Sequence, residues 1–86
     1  MKLFFHPNFN KQLSKLTPKE KEKTKNRLRL FLENPTHPLL GNHPLKGKYL
    51  DYRSINIGGD LRAVYKQLGD EEFVFVAMGS HSQLYS

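Results

Sequence analysis

Five residues in the second half of the chain carry side chains suited to chemistry on a phosphodiester: His43, Asp60, Arg62, His81 and Tyr85. Imidazole changes its charge near neutral pH, so a histidine beside a phosphate is competent as a general acid or base. An arginine on the open face of a sheet can hold a phosphate with two parallel N–H donors. A tyrosine can stack on an unstacked RNA base. These residue types indicate a site that acts on a nucleic-acid backbone.

Each of these side chains also has a simpler structural explanation. Asp60 adjoins a pair of glycines, and aspartate is common at the edge of a turn. Arg62 lies in the otherwise apolar run 61–65, where it would equally serve as an edge charge or a salt-bridge partner. Tyr85 would equally pack the last residues against the body of the protein. The remaining two histidines each precede a proline in a turn and are expected to be structural or merely exposed: His6 and His37.

The length and composition bound what such a site can be built on. The chain has 86 residues, which predicts one small domain, 1–86, with a thin core. It contains no cysteine, which excludes disulfides, thiolate zinc sites and a cysteine nucleophile. No stretch approaches the roughly 18–20 apolar residues of a membrane span. We therefore expect a cytoplasmic protein that needs no membrane, cofactor or metal.

The positive charge lies mainly in the first half of the chain. Lys and Arg total 14 against 8 Asp and Glu, and residues 1–41 hold nine of these basic residues against three acids. Such an asymmetry indicates a polyanionic partner, although a lysine-rich solvated helix face is the alternative explanation. Lysine binds phosphate without selecting a base sequence. The candidate RNA- or phosphate-binding residues are Lys19, Lys21, Lys23, Lys25, Arg27, Lys46, Lys48 and Arg53.

The periodicity predicts an α+β domain with the element order β-α-α-β-β-β. A short strand over 2–5 precedes a helix that Asn8 is expected to cap, and a second helix is predicted from Pro18 to about Glu33. Thr17 and Glu20 form the pattern of a capping box at its start. Three strands follow, over 49–57, 60–68 and 72–78. The two helices are expected to form a hairpin on one face of a small, mainly antiparallel, twisted sheet, leaving the other face open as a ligand groove.

The two glycines at 58 and 59 predict a two-residue hairpin, because glycine supplies the positive φ that such turns require. In that register Ile57 faces Asp60 and Ile55 faces Arg62, while Tyr52 faces Tyr65. Arg53 then lies near residue 64, on the same side as Arg62. The third strand has apolar residues on both sides, with 73, 75 and 77 on one face and 74, 76 and 78 on the other, which predicts a central strand.

Two blocks of sequence carry a specific pattern, and two shorter segments accompany them. The blocks are His43-Pro44-Leu45-Lys46-Gly47 and Gly79-Ser80-His81-Ser82-Gln83-Leu84-Tyr85, and the segments are Tyr52-Arg53 and Asp60-Leu61-Arg62-Ala63-Val64-Tyr65-Lys66. With the basic helical hairpin before them, they resemble the RelE/ParE toxin superfamily, and within it the YafQ-type toxins of bacterial type II toxin–antitoxin systems. The resemblance covers essentially the whole chain. It implies a RelE-like fold and a ribosome-dependent endoribonuclease, an mRNA interferase, that cuts mRNA in the A site and is silenced by a cognate antitoxin.

The resemblance also implies roles for individual residues. The residues matching His43, Asp60 and His81 are associated with acid–base work in YafQ-like toxins, and the one matching Tyr85 is an aromatic at the active site. Arg62 matches the arginine that RelE toxins use against the scissile phosphate. The implied reaction is metal-independent attack of a ribose 2′-OH, giving a 2′,3′-cyclic phosphate. The two histidines are expected to share the proton transfers in either order, with all five catalytic candidates in one groove.

This chain departs from the YafQ-type pattern at two positions. Asn56 and Ala77 stand where those toxins carry a histidine and an arginine, so either Arg62 and Arg53 supply the phosphate contacts or catalysis is weak. Two other functions stay open. One is a ParE-like toxin that poisons DNA gyrase and cuts no RNA, which would not need the two histidines. The other is a catalytically degenerate partner that only binds an antitoxin.

Overall fold

The sheet and its helices are described for residues 1–85 by a computed structural model. The helices are α1 (Pro7–Ser14), α2 (Pro18–Glu33) and α3 (His81–Tyr85), with two short 3-10 turns at Pro38–Leu40 and Gly47–Tyr49. The strands are β1 (Lys2–Phe5), β2 (His43–Pro44), β3 (Arg53–Gly58), β4 (Leu61–Gly69) and β5 (Glu72–Ser80). They form one sheet in the order β1-β5-β4-β3-β2, in which only the β1–β5 pair is parallel. The predicted α+β class is confirmed.

The two long helices begin with side-chain caps. At α2 the predicted capping box is confirmed, since Thr17 Oγ1 accepts from the Glu20 backbone N–H at 3.2 Å and Glu20 Oε1 accepts from the Thr17 N–H at 3.0 Å. At α1 the expected Asn8 cap is wrong. His6 is the cap, with its Nδ1 accepting from the Asn8 N–H at 3.0 Å, because Pro7 suits the first helical position and lacks a donor of its own.

The main core lies between the helices and one face of the sheet. Phe31 of α2 is fully buried and meets three aromatic rings of the sheet edge-on, with centroid distances from 4.9 to 5.4 Å. These rings belong to Tyr65, Phe73 and Phe75. Edge-to-face aromatic contacts add about 0.5–1.5 kcal/mol each beyond the burial of their area. The helical hairpin is therefore held to the sheet chiefly by aromatic packing.

The β3–β4 hairpin has a different register from the predicted one. Its two turn residues are Gly59 and Asp60, with Gly59 at φ +55°, and Gly58 is still in the strand. The turn pairs Gly58 with Leu61, and a β-bulge between Asn56 and Gly58 then shifts the register, so that Asn56 pairs with Arg62 and Ile55 with Ala63. A slip of one residue moves a side chain to the other face of a strand pair. The predicted pairing of Ile55 with Arg62 is wrong for this reason.

The third predicted strand is central, as expected, and lies between β1 and β4. The predicted alternation of its side chains between the two faces of the sheet is wrong beyond Phe75. The register skips one residue of β5 between the Tyr65–Phe75 and Val64–Ala77 pairs, as in a β-bulge. Met78 consequently joins the helix-side core with Phe75, whereas Ala77 faces the opposite side.

The face of the sheet away from α1 and α2 is not bare, and the expectation that nothing covers it is wrong. Buried Val64, Ala77 and Leu84 form a second apolar cluster there. The cluster is completed by partly buried residues of the 45–52 segment, of β5 and of α3: Leu45, Tyr49, Tyr52, Val76 and Tyr85. The predicted strand over 49–57 begins only at Arg53, because the chain first makes the turn that brings these side chains over the sheet. The open face is thereby reduced to grooves between the covering segments.

Candidate active site

One groove on this second face is lined by four of the five catalytic candidates. It has a volume of about 440 Å³, and its walls are His43, Pro44, Leu45, Lys46, Arg62, His81 and Tyr85. The sheet register explains why these residues lie close together. His43 pairs with Ser54 on β3, and the neighbouring cross-strand row runs from Asn56 through Arg62 to Gly79, two residues before His81. The strand pairing thus brings together residues separated by as many as 42 positions.

His43 is exposed, and its ring is held by a single backbone contact. Its Nδ1 lies 2.8 Å from the carbonyl oxygen of Gly41. A carbonyl oxygen only accepts hydrogen bonds, so Nδ1 carries a proton and donates it. In the neutral imidazole Nε2 is then unprotonated and available as a proton acceptor. This geometry leaves Nε2 of a neutral His43 as the ring atom that can accept a proton.

Arg62 is half-buried in β4, and only some of its guanidinium donors have hydrogen-bond partners. Its Nη1 donates to Asn56 Oδ1 at 2.8 Å. Its Nε is buried and has no acceptor within residues 1–85. A buried guanidinium donor without a partner costs free energy, and a phosphate oxygen is the geometrically matched acceptor for an arginine. Arg62 therefore lines the groove with a guanidinium whose donors are not all satisfied, a property that suits an anion.

His81 and Tyr85 are placed by α3. Leu84 of this short helix is buried in the second cluster and anchors it to the sheet. His81 and Tyr85 are four residues apart, on one side of the helix, and their rings meet edge-on with centroids 4.8 Å apart. The phenol oxygen of Tyr85 is buried and has no hydrogen-bond partner among the described residues. Two side chains of the groove, Arg62 and Tyr85, thus each have a buried polar atom without a partner among residues 1–85.

The aromatic wall behind Tyr85 consists of two further tyrosines. Tyr49 lies edge-on to Tyr85 and to Tyr52, with centroid distances of 6.0 and 5.9 Å. Burial raises the pKa of the Tyr49 phenol above its ordinary value, and the adjacent phenols of Tyr85 and Tyr52 raise it further. Tyr49 therefore stays neutral well beyond physiological pH and acts as a packing group.

The charge of the groove suits an anion. Lys46 and Arg62 line it together with the two histidines, and none of the residues that line it within the described chain is acidic. The combination of an arginine, two imidazoles and an aromatic ring fits a phosphodiester with an adjacent base.

A family model for the YafQ toxin, described as a bacterial toxin of type II toxin–antitoxin systems, matches residues 1–86. The chain belongs to the YafQ toxin family. Among solved structures, YafQ from E. coli is 22% identical, with a TM-score of 0.82 over 99% of this chain and 98% of that one. A YoeB/ParE toxin from Agrobacterium tumefaciens is 24% identical, with a TM-score of 0.78 over 94% and 99%. The resemblance to the YafQ-type toxins is thus confirmed, and the two solved structures show the same fold.

A third structure places such a toxin beside its antitoxin. It is the E. coli DinJ–YafQ toxin–antitoxin complex, in which the matching chain is 22% identical, with a TM-score of 0.79 over 99% of this chain and 97% of that one. No curated protein sequence matches the chain significantly.

In this YafQ family member, Asp60 is the candidate that the groove does not include. It is exposed in the β3–β4 turn and lines a separate groove of about 660 Å³ between the start of α2 and the end of β5. Lys15, Glu20 and Ser80 are among its neighbours there. The prediction that all five catalytic candidates share one groove is therefore wrong for Asp60, because the turn begins one residue later than expected and carries Asp60 at its tip.

Two arginines predicted to contact phosphate serve the helix side of this YafQ-type fold instead. Arg53 pairs with Tyr65, and its Nε donates to Asn42 Oδ1 at 2.7 Å. Asn42 in turn donates to the Tyr65 hydroxyl at 2.7 Å. The expectation that Arg53 shares a face with Arg62 is wrong. Arg62 lies across from Asn56, and Arg53 is three residues before Asn56, so its side chain lies on the opposite face of the sheet. Arg27 donates to the carbonyl of Ile57 at 3.2 Å and so ties α2 to β3.

The predicted phosphate-binding lysines are divided between two places. On α2, Lys19, Lys21, Lys23 and Lys25 are all exposed. Residues two positions apart lie on opposite sides of a helix, so the lysines form two pairs, 19 with 23 and 21 with 25, rather than one face. The aliphatic part of Lys23 packs against Gly58. A Cβ at residue 58 would lie 2.7 Å from the lysine Cδ. Lys46 lines the groove, whereas Lys48 lies over the Tyr49 ring at 5.3 Å and borders a neighbouring hollow.

Sequence reasoning treated Asn56 as a missing histidine and did not anticipate its contact with Arg62. The sequence carried no clear signal for it, because a turn centred on Gly59 and Asp60 would by itself place Asn56 across from Ala63, and only the bulge between Asn56 and Gly58 sets Asn56 against Arg62. The other two histidines match their structural expectation, since His37 Nδ1 accepts from the Leu39 N–H at 3.1 Å, as His6 does at α1. None of the helices described is long and apolar enough to cross a membrane.

Proposed function

We propose that this YafQ family toxin is a ribosome-dependent endoribonuclease that cleaves mRNA in the A site. The observation that carries the proposal is the groove in which His43, His81 and Tyr85 surround an arginine whose Nε has no acceptor within the described chain. That set contains a base, an acid and a cation, which are the groups that intramolecular phosphodiester cleavage requires.

The reaction proposed is a transesterification within the RNA. A base removes the proton of a ribose 2′-OH, and the O2′ attacks the adjacent phosphorus. The bond from phosphorus to the 5′-oxygen of the next nucleotide breaks as an acid protonates that oxygen. The products are a 2′,3′-cyclic phosphate and a 5′-hydroxyl. Each proton taken by the base is balanced by one delivered to the leaving group, so no further reactant is needed.

The groove supports a particular division of these roles. His43 is the proposed base, because its Nδ1–H bond to Gly41 leaves Nε2 as the acceptor in the neutral ring. His81 is then the acid that protonates the leaving oxygen. Arg62 stabilises the charge that develops on the phosphorus oxygens, and a preorganised donor of this kind contributes about 10²–10³-fold to the rate. Tyr85 holds the His81 ring and offers its own ring to a base.

The remaining parts of the proposal concern partners. The exposed lysines of α2 at positions 19, 21, 23 and 25 give both exposed sides of this helix a basic character that suits ribosomal RNA. Since DinJ binds YafQ in the complex of E. coli, a cognate antitoxin is the protein partner proposed for this chain.

The deciding experiment is primer-extension mapping of translated messages after induction of the wild type and of His81→Ala. Cleavage at positions aligned with the ribosomal A site by the wild type, and its loss in His81→Ala, is the expected result. Intact messages accompanied by a DNA damage response would instead favour gyrase poisoning. Intact messages and normal growth would leave only antitoxin binding. Equal cleavage by His81→Ala would overturn the assignment of the site.

A further inference from the structure

Asn56 connects the phosphate-binding arginine to the rest of the groove. It lies directly across from Arg62 in the β3–β4 pair, and its Oδ1 accepts from Arg62 Nη1 at 2.8 Å. Both side chains are half-buried on the second face of the sheet. Hydrogen bonds to a charged group contribute about twice as much as neutral ones, so this contact restrains the guanidinium in one orientation. That orientation leaves Arg62 Nε without an acceptor in residues 1–85.

The other side of the Asn56 amide is filled by the backbone of Gly41. A Cβ on residue 41 would lie 2.6 Å from Asn56 Nδ2, so the amide would have to shift to make room for a side chain there. Gly41 also has φ +51°, a left-handed conformation that glycine adopts at little cost. The amide therefore lies between Arg62 and the Gly41 turn, and glycine at residue 41 lets it keep this position.

The same turn holds the proposed base. The Gly41 carbonyl oxygen is the acceptor for His43 Nδ1 at 2.8 Å. A continuous series of contacts thus runs from Arg62 through Asn56 and Gly41 to His43. It joins the cation that would bind the phosphate to the imidazole that would take the 2′-OH proton. A single displaced group in this series would alter the distance between the two.

We propose that Asn56, supported by Gly41, is the positioning residue that sets the orientation of Arg62 relative to His43, an inference that rests on the proposed nuclease function. Asn56 acts here through its carbonyl oxygen. A carboxamide does not titrate near neutral pH, so Asn56 takes no part in proton transfer. A misplacement of about 1 Å in a reacting group costs on the order of 100-fold in rate.

The test is a double-mutant cycle on ribosome-dependent cleavage of a defined message. Four proteins are compared: wild type, Asn56→Ala, Arg62→Ala and the double variant. Rates are measured at saturating ribosome concentration and as a function of ribosome concentration. Asn56→Ala should lower the saturating rate about 10–100-fold and leave the half-saturating concentration and the shape of the pH profile unchanged. The double variant should be no slower than Arg62→Ala alone, because the asparagine acts only through the arginine.

Two further variants separate positioning from general damage to the sheet. Asn56→Asp keeps an acceptor oxygen for Arg62 and should cleave faster than Asn56→Ala. Ser54→Ala is the matched control, because Ser54 is fully buried two residues away on the same strand and its hydroxyl has no partner within residues 1–85. It should cleave at the wild-type rate. If Asn56→Ala does not fold, Asn56→Ser takes its place, since the shorter hydroxyl does not reach Arg62.

The outcomes distinguish this inference from the function on which it rests. A wild-type protein that leaves ribosome-bound message uncut refutes the nuclease function itself. Cleavage that depends on Arg62 but is equally fast in Asn56→Ala refutes the positioning role. Penalties that multiply in the double variant refute it too, because the two residues would then act independently. A shifted pH profile in folded Asn56→Ala would assign Asn56 to the proton transfers instead.

Discussion

The imidazole of His81 meets the ring of Tyr85 edge-on, with centroids 4.8 Å apart and planes inclined by 67°. The contact lies within one turn of α3, and Tyr85 is supported from behind by Tyr49 at 6.0 Å. Within residues 1–85 the proposed acid is therefore positioned by edge-on aromatic contacts rather than by a hydrogen bond to a carboxylate. Substitutions of these aromatic residues should lower the cleavage rate more than they lower the stability of the fold.

Tyr85→Ala removes the ring that holds His81 and should lower the cleavage rate on the order of 100-fold, as expected when a catalytic group is misplaced by about 1 Å. Tyr85→Phe is the matched control, since it keeps the ring and deletes only the buried hydroxyl that has no partner in residues 1–85. It should retain most of the activity. A Tyr85→Phe protein as inactive as Tyr85→Ala would mean that the hydroxyl itself contacts the substrate.

His43→Gln and His43→Asn distinguish a proton acceptor from a structural contact. The amide that His43→Asn introduces can still donate to the Gly41 carbonyl that His43 Nδ1 contacts at 2.8 Å, but it supplies no base. Loss of a general base costs about 10²–10⁴-fold, so both variants should be slow by that amount. Single-turnover cleavage on ribosomes is the measurement. Near-normal cleavage by His43→Asn would reduce His43 to a residue that merely shapes the turn.

Asp60→Asn should lower the cleavage rate far less than Arg62→Ala. Asp60 lies at the tip of the β3–β4 turn and lines a different groove from the two histidines, whereas Arg62 lines theirs. The two variants are to be compared in the same cleavage assay, with thermal unfolding to verify the fold. If Asp60→Asn proves as slow as Arg62→Ala, the carboxylate must reach the substrate from the neighbouring groove.

Reversing Lys19, Lys21 and Lys25 to Glu should weaken ribosome binding and its salt dependence without unfolding the domain. All three are exposed on α2, and each lost phosphate contact lowers the slope of log affinity against log salt by about 0.7–0.9. Lys23 is left intact because its stem packs over Gly58. Lys2→Glu, an exposed charge on β1, is the control. An unchanged slope would identify the α2 face as merely solvated.

The raised pKa of Tyr49 predicts that the protein loses stability at alkaline pH. This raised pKa means that the folded protein binds the phenolic proton more tightly than the unfolded chain does. The corresponding stabilisation is complete below the ordinary phenol pKa of about 10 and disappears as the pH rises through the folded-state value. The free energy of unfolding, measured by urea denaturation at pH 8 and above pH 10, should therefore fall less between the two pH values in Tyr49→Phe than in the wild type. Parallel losses in the two proteins would contradict this assignment.

Local sequence signals were sufficient for most of the elements. The capping box of Thr17 and Glu20, and the proline at position 18, correctly placed the start of α2 because capping depends on residues within one turn. The apolar residues on both sides of β5 correctly indicated a central strand. The same local reasoning failed at His6, where a histidine rather than the expected Asn8 caps α1, because both residue types can accept from a backbone N–H.

The sequence alone determined the α+β order, the start of α2 and most of the residues that line the groove, since these follow from residue types and short-range periodicity. Only the tertiary structure decided which of those residues meet. Turns centred on 58–59 and on 59–60 both satisfy the local demand for glycine. The second turn, together with the bulge between Asn56 and Gly58, gives a register that differs by one residue from that of the first. That difference places Arg53 with Asn42 and Tyr65, sends Asp60 to another groove, and sets Asn56 against Arg62. The choice depends on packing of the whole β3–β4 pair against two cores, because the side chains of a strand alternate between faces with a period of two.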